Sequence, residues 1–272
     1  MIIKMENVCC GYKDKKVVEG FSAAISSGEI LCLLGPNGVG KTTLFKCILG
    51  LLPLMGGSIT VDGRDVRELS ASEYAKIVGY VPQAHTPPFS FRVFDVVVMG
   101  RTTHLGMFSN PGKKDFQIAA ACLERLEISH LADRVYTEIS GGEQQMVLIA
   151  RALAQEPAFL IMDEPTSNLD FGNQARVLKN VCLLAEQGLG IIMTTHQPDH
   201  VFQCGADVSL IINGSSHLSG SAETVLTEQR LRDAYGIDVA VMNVQYRTYD
   251  LCFCRPLIHS GQAASHSNAC AD

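Results

Sequence analysis

The chain has 272 residues, of which 47% are hydrophobic, so it can fill one large domain or two small ones and is neither disordered nor fibrous. Its 22 basic and 28 acidic side chains give a net charge of -6, which argues against nucleic acid as a main partner. No apolar run approaches the roughly 18 residues that span a bilayer, and the N-terminus does not read as a secretion signal. The sequence therefore predicts a cytosolic chain that does not cross a membrane by itself.

The N-terminal segment mixes β-prone stretches with turn residues. From residue 1 to about 27, turn residues such as Gly11 and Gly20 separate short apolar stretches, a pattern typical of antiparallel strands and hairpins. The apolar run Ile30–Leu34 then leads through a Gly/Pro/Asn loop into helical apolar spacing over residues 42–52. This part of the chain predicts a strand, a loop and a helix in succession.

Further runs typical of buried strands follow in the second half, at Phe159–Met162 and at residues 191–194 and 209–212. Helical stretches separate them, which favours a mainly parallel sheet with helices on its faces. Residues 84–157 carry helical patterns without a strand pattern, and we interpret them as a helical insertion. After about residue 250 the chain loses periodicity, so we expect a loose tail there.

The loop after the first buried strand matches the eight-position phosphate-binding pattern, with Gly35, Pro36, Asn37, Gly38, Val39, Gly40, Lys41 and Thr42. The glycines allow backbone turns in which N–H groups face a phosphate, and the following helix adds its positive end. Lys41 would bring a charge to the β- and γ-phosphates, and the Thr42 hydroxyl can ligate Mg²⁺. The alternative is a glycine-rich turn before a helix.

Two carboxylates follow the buried strand Phe159–Met162. Asp163 and Glu164 have no basic partner nearby in sequence, and buried strands rarely end in unpaired charges. Asp163 would suit Mg²⁺, and Glu164 could polarise an attacking water. The alternative is an acidic loop.

A serine and two glycines precede the next apolar-periodic helix. Ser140 and Glu143 have the spacing of a capping box, and the glycines Gly141 and Gly142 leave the first N–H groups uncovered, which makes a second anion site. The alternative here is a plain helix cap. His196, after the strand run at 191–194, is either a hydrogen-bonding partner of a γ-phosphate or a core histidine.

These motifs, in this order, resemble the nucleotide-binding subunit of an ATP-binding cassette (ABC) transporter over about residues 1–240. The resemblance implies an α/β fold of the P-loop NTPase (RecA-like) type, with a mainly parallel core sheet, an N-terminal antiparallel β subdomain and a helical subdomain insertion. The implied boundaries are a single domain at 1–250, with the core at 1–82 and 158–250, the helical subdomain at 83–157 and a flexible tail at 251–272.

The resemblance also implies the roles of the site residues, with ATP and Mg²⁺ as cofactors. ATP would contact Tyr12, Gly35, Pro36, Asn37, Gly38, Val39, Gly40, Lys41, Thr42, Thr43, Ser140, Gly141, Gly142 and Asp170. Mg²⁺ would be held by Thr42, Gln83 and Asp163, and the catalytic residues would be Lys41, Gln83, Glu164 and His196. Tyr12 would stack on adenine, although a tyrosine in a turn is more often ordinary packing.

Three positions depart from the pattern of that family. Ile139 stands where leucine is usual, a volume-conserving change that we expect to be tolerated. Glu143 replaces glutamine, and since its charge would repel a γ-phosphate, we expect it to turn back and cap its own helix. Asn168 replaces alanine, and the sequence gives no physical account of it.

The same resemblance implies a symmetric pair of cassettes with two composite ATP sites, on the cytoplasmic face of the membrane. Two permease subunits and, indirectly, a substrate-binding protein would complete the transporter.

The stretch from Val98 to Gly106, which contains His104, resembles the corresponding region in importers of iron-siderophore, haem or cobalamin complexes. The alternatives are an importer of another cargo such as molybdate and an exporter. Soluble family members fit less well. Those of translation generally carry two cassettes in one chain, and those of DNA repair place a very long coiled coil between these motifs, whereas Lys41 and Ser140 lie only 99 positions apart.

The tail offers thiol and imidazole groups at Cys252, Cys254, His259, His266 and Cys270. Their spacing matches no standard zinc pattern. We interpret the tail as unstructured, with a metal or regulatory site as the alternative.

Overall fold

The computed structural model describes residues 1–83, 90–106 and 109–258. The strands are β1 (Ile2–Tyr12), β2 (Lys15–Ser26), β3 (Ile30–Leu34), β4 (Gly56–Val61), β5 (Arg64–Asp65), β6 (Val78–Val81), β7 (Phe159–Met162), β8 (Gly190–Thr195), β9 (Asp207–Asn213), β10 (Ser216–Ser221), β11 (Val239–Tyr246) and β12 (Tyr249–Pro256). The helices are α1 (Lys41–Ile48), α2 (Ala71–Ile77), α3 (Val93–Val98), α4 (Lys113–Arg125), α5 (Gly141–Leu153), α6 (Phe171–Glu186), α7 (Asp199–Cys204), α8 (Ala222–Val225) and α9 (Glu228–Tyr235). Short 3-10 turns lie at Val66–Glu68, Met99–His104, Ser129–Leu131 and Tyr136–Glu138.

The central sheet has the strand order β10-β9-β3-β8-β7-β6. All neighbouring pairs are parallel except β9 and β10, which form an antiparallel hairpin at one edge. Every residue of β3, β7 and β8 is buried, as expected for parallel strands that are covered on both faces. The predicted α/β class with a mainly parallel core sheet is confirmed.

A second sheet is antiparallel, with the order β2-β1-β4-β5. Its inward side chains, such as Ile3 and Phe21, share a hydrophobic cluster with Leu44 and Phe45 of α1 and with Leu33 of β3. Helix α1 is therefore held by apolar packing between the two sheets, which fixes the loop that precedes it.

The described residues between β6 and β7 form helices and 3-10 turns. Their core contains Val97 of α3, Ala119 of α4 and Met146 of α5. Arg101 is buried there and forms ion pairs with Asp115 at 3.0 Å and with Glu156 at 2.7 Å. A buried guanidinium needs such partners, and this one ties α4 to the segment after α5. Among the described helices, none combines the length and apolarity that crossing a bilayer requires.

Three local features of the structure differ from the sequence predictions or were absent from them. Helix α1 ends at Ile48 instead of residue 52, because Gly50 has a left-handed φ of 70° and stops the helix. Strand β6 carries no clear pattern, because its four residues include Gly79 and the half-buried Tyr80. A parallel partner on one side, β7, is enough to make it a strand.

The predicted tail is the third difference. Residues 251–256 belong to β12, which pairs with β11 in an antiparallel hairpin, so the prediction of an irregular tail is wrong for them. The hairpin is attached to α7, because the N–H of Cys254 donates to Asp199 Oδ1 at 2.7 Å. Residues 259–272, including His259, His266 and Cys270, lie outside the described residues.

Candidate functional site

The phosphate loop, residues 35–42, lies between the buried strand β3 and helix α1. A Cβ on Gly35 would lie 2.4 Å from the carbonyl oxygen of Ile211, and one on Gly40 would lie 2.6 Å from a methyl group of Val18. Glycine is therefore required at both ends of the loop. Between them Pro36 and Val39 are half-buried, and Asn37 and Gly38 are exposed.

Lys41, Thr42 and Thr43 form the first turn of α1, which has no acidic residue and no side-chain cap among the described residues. Thr42 is exposed and Thr43 is buried. Lys41 is only 6% exposed, and its ammonium donates to the carbonyl oxygens of Gly35 at 2.5 Å and Pro36 at 2.9 Å. The loop thus carries a positive charge next to uncapped N–H groups, a combination that attracts anions.

Two carboxylates lie where β7 ends, beside β8. Thr194 of β8 donates its hydroxyl to Asp163 Oδ1 at 2.8 Å, and the Thr194 hydroxyl oxygen accepts the N–H of Glu164 at 2.8 Å. Glu164 has a left-handed φ of 44°, an uncommon conformation for a residue that is not glycine. Thr194 therefore fixes both the direction of the first carboxylate and the backbone of the second.

The charges of Lys41 and the two carboxylates interact. Burial raises the pKa of Asp163, and the neighbouring Glu164 raises it further, while the Thr194 hydrogen bond and Lys41 lower it. Burial also lowers the pKa of Lys41, and Glu164 and Asp163 oppose that shift. A cation close to Asp163 would stabilise its charged form.

His196 follows directly after β8. Its Nδ1 lies 3.5 Å from Glu164 Oε1, and its carbonyl oxygen accepts the hydroxyl of Tyr235 at 3.1 Å. The imidazole is therefore next to the second carboxylate and is not a core histidine, since its side chain is 43% exposed.

Gln83 comes two residues after β6, at the same carboxyl-terminal end of the sheet strands as the two carboxylates. Its Nε2 donates to Ser167 Oγ at 3.0 Å. Ser167 lies just after Glu164, so the start of the helical region is joined to the acidic segment.

Tyr12 is the last residue of β1 and lies beside α1. Its ring is 47% exposed, and Lys46 of α1 lies with its ammonium 5.9 Å from the ring centroid and 3.4 Å from the hydroxyl. An exposed ring that is steadied by a cation can stack on an aromatic base.

The serine-diglycine turn, formed by Ser140, Gly141 and Gly142, begins α5. The carboxylate of Glu143 accepts the Ser140 N–H at 2.8 Å and its hydroxyl at 2.7 Å, and the Ser140 hydroxyl in turn accepts the Glu143 N–H at 3.4 Å. These hydrogen bonds lower the pKa of Glu143. The prediction that Glu143 turns back to cap its own helix is confirmed.

The serine-diglycine turn packs against the start of α6. A Cβ on Gly142 would lie 2.4 Å from the side chain of Asn173, whereas Gly141 is exposed. Asp170 caps α6, since its carboxylate accepts the N–H of Asn173 at 2.8 Å and its Nδ2 at 2.7 Å. Both Asp170 oxygens are thus used within the chain, which the sequence did not reveal.

Asn168, which the sequence analysis left unexplained, has a φ of 60°. Asparagine is among the few residues that adopt this left-handed conformation readily. The residue therefore suits the turn between Glu164 and the cap of α6.

The fold brings one group of these residues together and leaves another apart. In the central sheet Leu34 is paired with Thr195, and Met162 with Met193, so the loop, the carboxylates and His196 meet at the carboxyl ends of β3, β7 and β8. The hydrogen bonds of the described residues include none between the serine-diglycine turn and the phosphate loop. The phosphate loop and the serine-diglycine turn therefore have different surroundings within one chain.

The family model described as "ABC transporter" matches residues 18–167, which include the phosphate loop, the serine-diglycine turn and both carboxylates. The chain belongs to the ABC transporter family. As an ATP-binding cassette of this family it binds ATP and hydrolyses it to drive transport, together with membrane permease subunits.

Three relatives have similar length. The chain is 42% identical to an uncharacterised ABC transporter ATP-binding protein of Haemophilus influenzae, over 86% of this chain and 89% of that one. It is 37% identical to the molybdate import ATP-binding protein MolC of the same organism, over 82% and 83%. It is 35% identical to a probable iron chelatin transport ATP-binding protein of Helicobacter pylori, over 86% and 93%.

A solved structure is similar over nearly the whole chain. It is described as an inward-facing conformation of a metal-chelate type ABC transporter, and the TM-score is 0.84 at 32% identity, with 94% of this chain and 97% of that one covered. The ABC cassette is therefore closely similar in fold to a cassette of that transporter.

Proposed function

We propose that the cassette forms a homodimer around two ATP molecules at the cytoplasmic face of a membrane, where it powers uptake of a metal chelate through two permease subunits fed by a substrate-binding protein. The observation that carries the proposal is the meeting of Lys41, Asp163, Glu164 and His196 at one edge of the central sheet. A cation, two carboxylates and an imidazole at one edge suit the cleavage of a phosphoanhydride.

The residues of one chain would bind the triphosphate and activate water. The Lys41 ammonium and the uncapped N–H groups of α1 bind the β- and γ-phosphates, and Tyr12 stacks on adenine. The Glu164 carboxylate accepts a proton from the water whose oxygen attacks the γ-phosphorus as the bond to the ADP oxygen breaks. His196, whose Nδ1 lies 3.5 Å from Glu164 Oε1, would orient that carboxylate.

Mg²⁺ fits the oxygen donors at this edge. Asp163 is a half-buried carboxylate whose raised pKa indicates that its charge is poorly stabilised by the protein alone, and the Thr42 hydroxyl is exposed. These two residues, with Gln83, would hold the ion. When bound, it would neutralise charge on the phosphates.

A second copy would complete each site. Within one chain the serine-diglycine turn packs on α6, away from its own phosphate loop, while Gly141 is exposed at the positive end of α5. The N–H groups of this turn can bind the γ-phosphate held by another copy. Loss of that phosphate would remove the contact and favour separation of the two copies.

The cargo proposal is supported by the metal-chelate transporter and the iron chelatin relative. The molybdate-import relative favours a second candidate, a metal oxyanion. ATPase activity of the complete transporter in liposomes, with the binding protein and either cargo class, distinguishes them. Stimulation by a ferric chelate supports the proposal, and stimulation by molybdate alone supports the second candidate.

The catalytic proposal predicts the behaviour of Glu164→Gln. The amide keeps the size of the side chain but cannot accept the proton, so we expect ATP turnover to fall by about 10²- to 10⁴-fold. Binding of radiolabelled ATP should stay within about twofold, because Lys41 and α1 are unchanged.

Glu186→Gln, an exposed change on α6, is the matched control and should hydrolyse ATP like the wild type. Wild-type turnover in Glu164→Gln would remove Glu164 from its proposed role.

A further inference from the structure

His200 is a buried imidazole that lies behind the proposed catalytic residues. It is the second residue of α7 and is 3% exposed. Its Nδ1 lies 3.0 Å from the hydroxyl of Thr195 and 3.4 Å from the hydroxyl of Thr166. One ring nitrogen thus contacts both the residue directly before His196 and the residue two positions after Glu164.

The hydrogen bonds around Thr195 indicate which tautomer His200 has. The Thr195 oxygen accepts the N–H of Gln197 at 3.1 Å, so its own hydrogen is available to donate. The carbonyl oxygen of Gln197 is 3.5 Å away and is the poorer acceptor, whereas His200 Nδ1 is at 3.0 Å. These distances are best explained when His200 Nδ1 accepts the Thr195 hydroxyl and Nε2 carries the ring proton.

The electrostatic surroundings favour the same neutral form. Burial lowers the pKa of His200, and the neighbouring His196 lowers it further, while Asp199 opposes the shift. A neutral ring with an unprotonated Nδ1 can accept from the Thr195 hydroxyl at 3.0 Å, with the Thr166 hydroxyl close by at 3.4 Å, whereas a protonated ring cannot accept.

We propose that His200 is a positioning residue for ATP hydrolysis, which holds the end of β8 against the turn after β7 and so sets the distance between His196 and Glu164. His200 does not touch the reacting atoms. It acts through Thr195 on His196, whose Nδ1 is 3.5 Å from Glu164. A shift of about 1 Å between such groups can cost about 10²-fold in rate. The inference rests on the proposed roles of Glu164 and His196.

A set of substitutions at position 200 separates hydrogen bonding from filling space. Asn places an amide oxygen near the position of Nδ1, Gln places it near Nε2, and Leu fills the space without an acceptor. We expect His200→Leu and His200→Gln to lower kcat for ATP by about 10- to 100-fold while KM stays within about twofold. His200→Asn should recover most of the lost activity.

His217→Leu is the matched control. This half-buried histidine of β10 packs on Phe21 at 5.1 Å between ring centroids and has no contact with the site among the described residues. Its kcat should equal that of the wild type. In nitrogen NMR spectra, the His196 imidazole resonances should move in His200→Leu and stay in place in His217→Leu.

Thr195→Val offers a second route if His200→Leu does not fold. It removes the donating hydroxyl with little change of shape, and we expect the same loss of kcat at unchanged KM. Wild-type kcat in a folded His200→Leu or Thr195→Val, or failure of a folded His200→Asn to recover activity, would overturn the inference. Glu164→Gln is measured in parallel. If Glu164→Gln lacks ATPase activity while His200→Leu keeps wild-type kcat, only the positioning role of His200 is refuted and the role of Glu164 stands.

Discussion

Single side chains at this site act mainly by fixing the backbone around the two carboxylates. Thr194 joins Asp163 and the N–H of Glu164 through one hydroxyl, and His200 joins Thr195 and Thr166 through one ring nitrogen. The sequence revealed the carboxylates because they follow an apolar run. It did not reveal Thr194 or His200. Their partners lie on another strand or turn, and no motif spacing in the sequence indicates a contact between segments that are far apart along the chain.

The left-handed backbone conformation of Asn168 can be tested by substituting this single residue. The φ of 60° suits Asn or Gly but places a β-branched side chain against its own backbone. We expect Asn168→Val to lower the free energy of unfolding by about 1–2 kcal/mol and Asn168→Gly to change it by less than about 1 kcal/mol. Urea denaturation measures both. Equal stability of the Val and wild-type proteins would contradict the backbone explanation of this residue.

Whole elements were predicted best where the pattern was strong and continuous. The runs at Ile30–Leu34 and Phe159–Met162 coincide with β3 and β7, because strands buried on both faces are apolar throughout. Strand β6 and the β11–β12 hairpin were missed, since short or half-exposed strands depend on neighbours that are distant in sequence.

Helix α5 shows how a local motif and a tertiary contact differ. Its capping box was predicted from the spacing of Ser140 and Glu143, which needs only four successive residues. Its packing on Asn173 of α6 was not predicted, because nothing in the sequence joins these two segments.

The cap of α5 predicts a pH-dependent stability. The folded-state pKa of Glu143 is lowered by hydrogen bonds from Ser140, so the ionised cap stabilises the protein above the ordinary glutamate pKa and loses that effect as pH falls through the folded value. Glu143→Gln keeps a neutral cap. We expect it to be less stable than the wild type by ~0.3–1 kcal/mol at neutral pH and nearly equal at an acid pH below the folded-state pKa of Glu143.

Urea denaturation at the two pH values provides the measurement for this prediction. Glu138→Gln, an exposed change outside the cap, serves as the control and should show no such dependence. A difference that grows in acid would contradict the proposed cap.

At the scale of the whole molecule, the order of the motifs along the chain predicted the α/β cassette, but not how the two anion sites are disposed. The phosphate loop lies at the carboxyl ends of the central strands, whereas the serine-diglycine turn lies on the helical region beside α6. The proposed ATP hydrolysis therefore requires a composite site, in which the phosphate loop of one chain and the serine-diglycine turn of another contact the same γ-phosphate.

Complementation between two defective full-length chains tests that claim most directly. Lys41→Ala removes the loop cation, and Gly141→Asp puts a negative charge on the exposed turn, where a Cβ would be in ordinary contact with Leu169 at 3.7 Å. Each variant alone should lose at least about 100-fold of its ATPase activity. A mixed dimer, however, contains one site in which both the loop and the turn are intact.

An equimolar mixture of these two variants should recover up to roughly a quarter of wild-type activity, because about half of the dimers are mixed and half of their sites are intact. Lys41→Ala mixed with a second loop variant, Thr42→Ala, should recover nothing. If the mixture of Lys41→Ala and Gly141→Asp shows no more activity than the two variants measured separately, each ATP is handled by one chain and the composite site does not exist.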